Sequence, residues 1–160
     1  FLCASIPPAY LPPQNTEWSL LFSSVTSGMS SSLFKSSVFG YMGRSLTIIR
    51  TPRGMFAVCM EQEWRQAMSP FSGATAFCMR LSPAPIEHDV GAALLFCSRD
   101  MKMGISWKGG DLDMDLSKEL ADVCEIEVFA CDDTTHFTEY KKMKMKLADM
   151  CGDEQNQECH

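Results

Sequence analysis

At 160 residues the chain is long enough for one domain with its own core and too short for two. An apolar share of 46% against 21% charged residues marks it as globular and not disordered. Its net charge of −6 argues against a nucleic-acid partner, which wants a basic face, and no run reaches the roughly 20 apolar residues of a membrane span.

The charge is uneven: residues 1–100 carry seven Lys/Arg against six Asp/Glu, and residues 101–160 carry seven against fourteen. A protein partner with a basic surface suits that acidic part, which also serves solubility. The chain starts at Phe1 and not at Met, and reads as a portion of a longer protein.

In chain order, residues 1–16 (FLCASIPPAYLPPQNT) hold two Pro-Pro pairs and read as an extended leader laid across the domain by Tyr10 and Leu11. Glu17 to Ser23 alternates, with Trp18, Leu20 and Phe22 on one face, as a first strand does. A Ser-rich loop follows. Ser30 or Ser31 then caps a short helix that turns Leu33, Phe34 and Val38 inward and ends at Gly40 or Gly43. From Arg44 to Met60, RSLTIIRTPRGMFAVCM gives two period-two runs around Thr51-Pro52-Arg53-Gly54, a β-hairpin with Leu46 and Ile48 on one face of its first strand and Phe56, Val58 and Met60 on one face of its second.

Glu61 to Ala67 reads as a helical turn or loop bearing Trp64, stopped by Ser69-Pro70. Further strands are expected at Ala74–Leu81, at the apolar run Ala92–Ser98, at Met103–Lys108 and at Glu125–Cys131. Ser82-Pro83-Ala84-Pro85 forms a loop, and an acidic, partly helical link runs from Asp111 to Val123. About seven strands with peripheral helices give an α/β (α+β) fold, mostly antiparallel. Thr134 to Met150 carries Phe137, Tyr140, Met143, Leu147 and Met150 at near-helical spacing, with Lys141, Lys142, Lys144 and Lys146 on other faces. This segment is a terminal helix that either packs on the domain or enters a partner's groove. An acidic tail closes the chain.

Chemistry is sparse. The eight cysteines are even in number, but Cys59, Cys78, Cys97 and Cys124 sit in apolar, strand-like runs where a thiol packs as a small hydrophobe, so reduced thiols are expected and not a disulfide scaffold. No C-x-x-C pair supports zinc. Asp111-x-Asp113-x-Asp115 imitates the start of a calcium loop, yet Leu116 stands where the sharp turn needs Gly. His88, His136 and His160 lie apart from any activated thiol, Glu125 and Glu127 alternate on a strand face as solvated residues do, and no phosphate-binding Gly-rich loop occurs.

The order EWSLLFSS, SSLFKSSVFG, SLTIIRTPRGMFAV, a Trp, FSGATAFCMRLSP, GISWKGGDL and CEIEVFAC resembles the TLDc domain, the family of the oxidation-resistance proteins, over residues 17–131. The matching signature positions are Trp18, Leu46, Gly54, Phe56, Trp64, Phe77, Gly104 and Glu127. The segment between Pro83 and Leu94 is shorter than in the family, the turn before GISWK is reduced to SRDMKM, the loop LSKELADVC is abbreviated, and the family's terminal Trp is Phe129 here.

The resemblance implies a central β-sandwich flanked by helices, no cofactor, cytoplasmic placement and a role in protection against oxidative stress. Several members bind and regulate the vacuolar-type proton ATPase, so it also implies a non-catalytic, monomeric protein-binding module, brought to the surface of acidic organelles through that partner. The candidate contact residues are Trp64 and Glu127 within the resemblance, and Phe137, Tyr140, Met143 and Leu147 on the terminal helix beyond it. The competing reading is a redox-active protein or enzyme using its thiols.

Overall fold

The computed structural model describes residues 6–12, 18–52, 54–65, 77–82, 94–97, 102–107, 110–115, 123–132 and 134–154. In chain order the elements are β1 (Ser19–Ser23), α1 (Ser24–Ser27), α2 (Ser31–Val38), β2 (Ser45–Thr51), β3 (Gly54–Met60), β4 (Phe77–Ser82), β5 (Leu94–Cys97), β6 (Lys102–Trp107), β7 (Gly110–Asp115), β8 (Glu125–Ala130) and α3 (Thr134–Glu154). The strands form an antiparallel five-stranded sheet in the order β1-β8-β2-β3-β4 and an antiparallel three-stranded sheet in the order β5-β6-β7. The fold is α+β.

The hairpin expected at Arg44–Met60 is the centre of the larger sheet. Thr51 pairs with Gly54 across the turn, and Thr51 Oγ1 donates to the Gly54 carbonyl at 3.2 Å. Gly54 has φ +144°, a backbone region that a Cβ disfavours, so the glycine is required there. Both faces of the hairpin are covered, which exceeds the half-buried pattern that alternation suggests. On the first face Ile49, Phe56, Val58 and Met60 pack with Phe22, Phe34, Val38, Ile126 and Val128. On the second, Leu46, Ala57, Cys59 and Met79 lie under Ile6 and Tyr10 of the N-terminal segment, with Leu11 and Trp18 against them. Trp18 Nε1 donates to the Tyr10 carbonyl at 3.0 Å and ties that segment down. Each large apolar side chain buried in this way contributes about 1.5–3 kcal/mol of transfer free energy.

Ser30 caps α2, its hydroxyl accepting from the Leu33 N–H at 3.5 Å. Gly40, at φ +87°, lies just past the end of the helix. Phe34 and Val38 turn inward as expected, whereas Leu33 is 43% exposed. Leu33 is one residue, about 100° of helix, away from Phe34, and falls at the edge of the buried face.

Two other expectations are corrected. A bulge between Leu20 and Phe22 puts Leu20 opposite Phe129 and Phe22 opposite Val128, so the run Trp18, Leu20, Phe22 is split between the two faces. The acidic link after Asp111 is a strand at its start: Asp111, Asp113 and Asp115 alternate along β7 opposite Ser106, Gly104 and Lys102. That extended geometry is incompatible with a calcium loop, and it raises the strand count to eight. Of the two readings offered for the segment after the hairpin, residues 61–65 take the loop, as a bend and irregular chain. Phe1–Ser5, Pro13–Glu17, Arg53, Gln66–Ala76, the Pro83–Pro85 loop, His88, the segment 116–122 and the tail 155–160 lie outside the described residues.

Candidate interaction surface on the C-terminal helix

β8 lies between β1 and β2, so the chain leaves the sheet from an interior strand, and Asp132 fixes where α3 departs. Asp132 Oδ1 accepts from Arg44 Nε at 2.8 Å and Oδ2 accepts from the Arg44 N–H at 2.5 Å. This hydrogen bond raises the Arg44 guanidinium above its ordinary pKa. A Cβ at residue 43 would collide with the Asp132 carboxylate and the Tyr41 hydroxyl, so glycine lets this turn close without displacing them.

The first turns of α3 are then held by a small separate cluster. Tyr140 is buried against Tyr41 and Ala130, with the two tyrosine rings edge to face at 5.6 Å, and Leu21 and Phe137 pack at its margin. The Tyr140 hydroxyl donates to the Ser37 carbonyl at the end of α2. Burial pushes its pKa up to about 12. Met143 Cε approaches within 3.1 Å of where a Cβ on Gly40 would sit, so glycine there lets the helix come close. Between the helix and the 40–43 turn is a cavity of about 290 Å³, bordered by Met42, His136, Glu139 and Met143.

Past this anchor the helix changes character. Met143 is 40% exposed, Leu147 50% and Met150 67%, so the apolar stripe read from the sequence is buried at Tyr140 and open beyond it. Tyr140, Met143, Leu147 and Met150 follow a three-four-three spacing, the 3.5-residue repeat of a helix–helix seam. Lys141 Nζ sits 4.5 Å from the Phe137 ring centroid and Lys144 Nζ 5.4 Å from that of Tyr140. Lys142 and Lys146 border a second cavity of about 400 Å³ with Glu139, Met143 and Leu147.

A family model of the TLDc domain matches residues 2–143. The chain belongs to the TLDc family. The match covers the N-terminal segment packed on the second face and runs into α3 as far as Met143, wider on both sides than the resemblance over 17–131. It ends where the anchoring of α3 ends. No curated protein matches the chain.

The structure brings Phe137, Tyr140, Met143 and Leu147 together and leaves Trp64 and Glu127 apart from them. Trp64 is only 3% exposed and stacks edge to face on Phe34 at 5.3 Å, so a surface role for this TLDc tryptophan is corrected to a core role. Glu127 is half-buried on β8 and accepts from Ser23 Oγ at 3.3 Å, an exchange inside the sheet. Sequence reasoning passed over Met42, exposed beside the anchor, and the distinction among the four lysines. The i, i+4 spacing of Lys142 and Lys146 was the available signal.

Cys59 and Cys131 are buried and Cys124 is exposed. Burial, and next the charge of Asp132, push the Cys131 thiol up to about 12, which suppresses the thiolate at neutral pH.

Proposed function

We propose that this TLDc protein is a non-catalytic interaction module that acts in oxidative-stress protection by binding and regulating the vacuolar-type proton ATPase. Family membership supports the link to oxidative stress. The observation that carries the binding reading is the helix α3: anchored at Tyr140, it presents an open apolar seam at Met143, Leu147 and Met150. A solvated helix gains nothing from such a seam, whereas a docked one buries it at about 25 cal/mol per Å². The module works in the cytoplasm and reaches acidic organelles through its partner. No helix among the described residues is long and apolar enough to cross a membrane, in keeping with attachment through another protein.

Immobilised protein incubated with cell lysate tests this reading. Subunits of the proton ATPase are recovered and detected by antibody, and the captured pump changes its rate of ATP-driven acidification. Failure to recover any of them at low and physiological salt refutes the assignment.

A further inference from the structure

We propose that the overhanging seam of α3 docks an acidic amphipathic helix of a partner protein, with Met143, Leu147 and Met150 as apolar contacts and Lys142 and Lys146 as its charge-reading residues. This deepens the interaction reading and rests on it.

The choice of occupant follows from charge. Of the four lysines on the exposed half, Lys141 and Lys144 lie over the rings of Phe137 and Tyr140. Lys142 and Lys146, one turn apart, instead flank the Met143–Leu147 groove. Neither lysine takes part in the ion pairs Arg44–Asp132 and Arg50–Glu125. Glu139 is the sole acid among the groove's lining residues. The edge of this apolar strip carries Lys142, Lys146 and Glu139, a net positive charge that suits a helix with apolar residues at the facing positions and Glu or Asp beside them.

Other occupants fit less well. A second copy of the chain would set two edges of net positive charge, each with two lysines and Glu139, against one another, a net like-charge contact. An extended anionic bilayer would meet the whole molecule, whose net charge is −6, whereas a single docked helix meets the local lysines first.

The full chain is titrated against a fluorescent peptide of about three heptads with Leu at a and d and Glu at e and g, and against its counterpart with Lys at e and g. Like-charge repulsion keeps each peptide from self-pairing. The Glu peptide binds in a salt-dependent manner and the Lys peptide does not. K142E/K146E weakens the Glu peptide by about tenfold or more and gains the Lys peptide, while L147D abolishes binding of the Glu peptide. These residues are exposed, so circular dichroism of the variants stays native.

Equal binding of the two peptides, or a K142E/K146E variant that binds the Glu peptide as the parent does, overturns the proposal. So does lysine-dependent binding to phosphatidylserine vesicles without peptide binding, or a dimer in sedimentation that L147D dissolves. If K142E/K146E still recovers proton-ATPase subunits from lysate as the parent does, the seam assignment falls and the broader function stands. If neither protein recovers them while peptide selectivity holds, the pump assignment falls and the seam stands.

Discussion

Replacing Tyr140 by Ala should free α3 from the domain while leaving the sheet folded. The side chain is buried, and its loss forfeits about 2 kcal/mol of transfer free energy. The edge-to-face pair with Tyr41 adds about 1 kcal/mol, and the hydroxyl bond to the Ser37 carbonyl about 1 kcal/mol more. A loss of about 4 kcal/mol is close to a thousandfold in a local docking equilibrium. The sheet should not follow, because Tyr140 belongs to a cluster distinct from the one formed by Phe34, Ile49, Ile126 and their neighbours. Hydrogen exchange read by mass spectrometry reports both regions at once. Amides of 137–147 should lose protection by about two to three orders of magnitude while those of β2 and β3 keep theirs. Tyr140→Phe, which removes only the hydroxyl, should cost about 1 kcal/mol and give an intermediate effect. Unchanged protection of α3 in the Ala variant would show that the anchor lies elsewhere. Parallel loss in β2 and β3 would show that the helix is part of the main cooperative unit and not an appendage.

Phe34→Ala should be the most damaging single change, lowering stability in urea titrations by about 3–5 kcal/mol, since Phe34 is fully buried with Phe22, Phe39 and Trp64 all in edge contact. Gly43→Ala should cost about 1–3 kcal/mol by the same assay, because its Cβ displaces the Asp132 carboxylate that holds Arg44. Ser30→Ala should cost only about 1 kcal/mol through the lost cap on α2. Alkaline pH should destabilise the protein: burial raises Cys131 from 9.0 to about 12 and Tyr140 from 10.0 to about 12. The native state therefore keeps protons that the unfolded chain has already released. Their stabilisation is complete below pH 9.0 and is lost towards about pH 12, by about 1.4 kcal/mol per unit for each group inside its window. Urea midpoints that stay level between about pH 9 and 11 would contradict this, and Tyr140→Phe should flatten the fall above pH 10.0.

The hairpin was legible because both of its strands alternate cleanly and its turn residues have fixed dihedral preferences, and the capped helix after Ser30 was legible for the same local reasons. What misled was non-local. The bulge that splits Trp18 from Phe22 arises from pairing with β8, more than a hundred residues later, and leaves no mark on the alternation itself. The Asp111–Asp115 run looked like a solvated link because acidic residues are poor strand formers, yet pairing with β6 overrides that propensity. Trp64 shows the same limit at the candidate site. A conspicuous aromatic in an irregular segment reads as surface, and only the packing of Phe34 against it shows otherwise. On α3 the stripe was correct but its two halves were indistinguishable, because periodicity reports a face and not what covers it.

That division of α3 bears on how partner choice can be built into the fold. The contacts that hold the helix, from Phe137 to Met143, fall within the span matched by the family model, and Leu147 and Met150 fall past it. The anchored part is under constraint from Tyr41, Gly40 and the Arg44–Asp132 pair, where even a methyl group on Gly43 collides. Met145, Leu147 and Met150 are exposed, so their side chains can change with little cost to the sheet. If α3 docks a partner as proposed, the anchor sets where the helix stands and the overhang sets which partner is read. Binding then requires little ordering of the seam, because about three turns of helix from Thr134 to Met143 are already in place to template it.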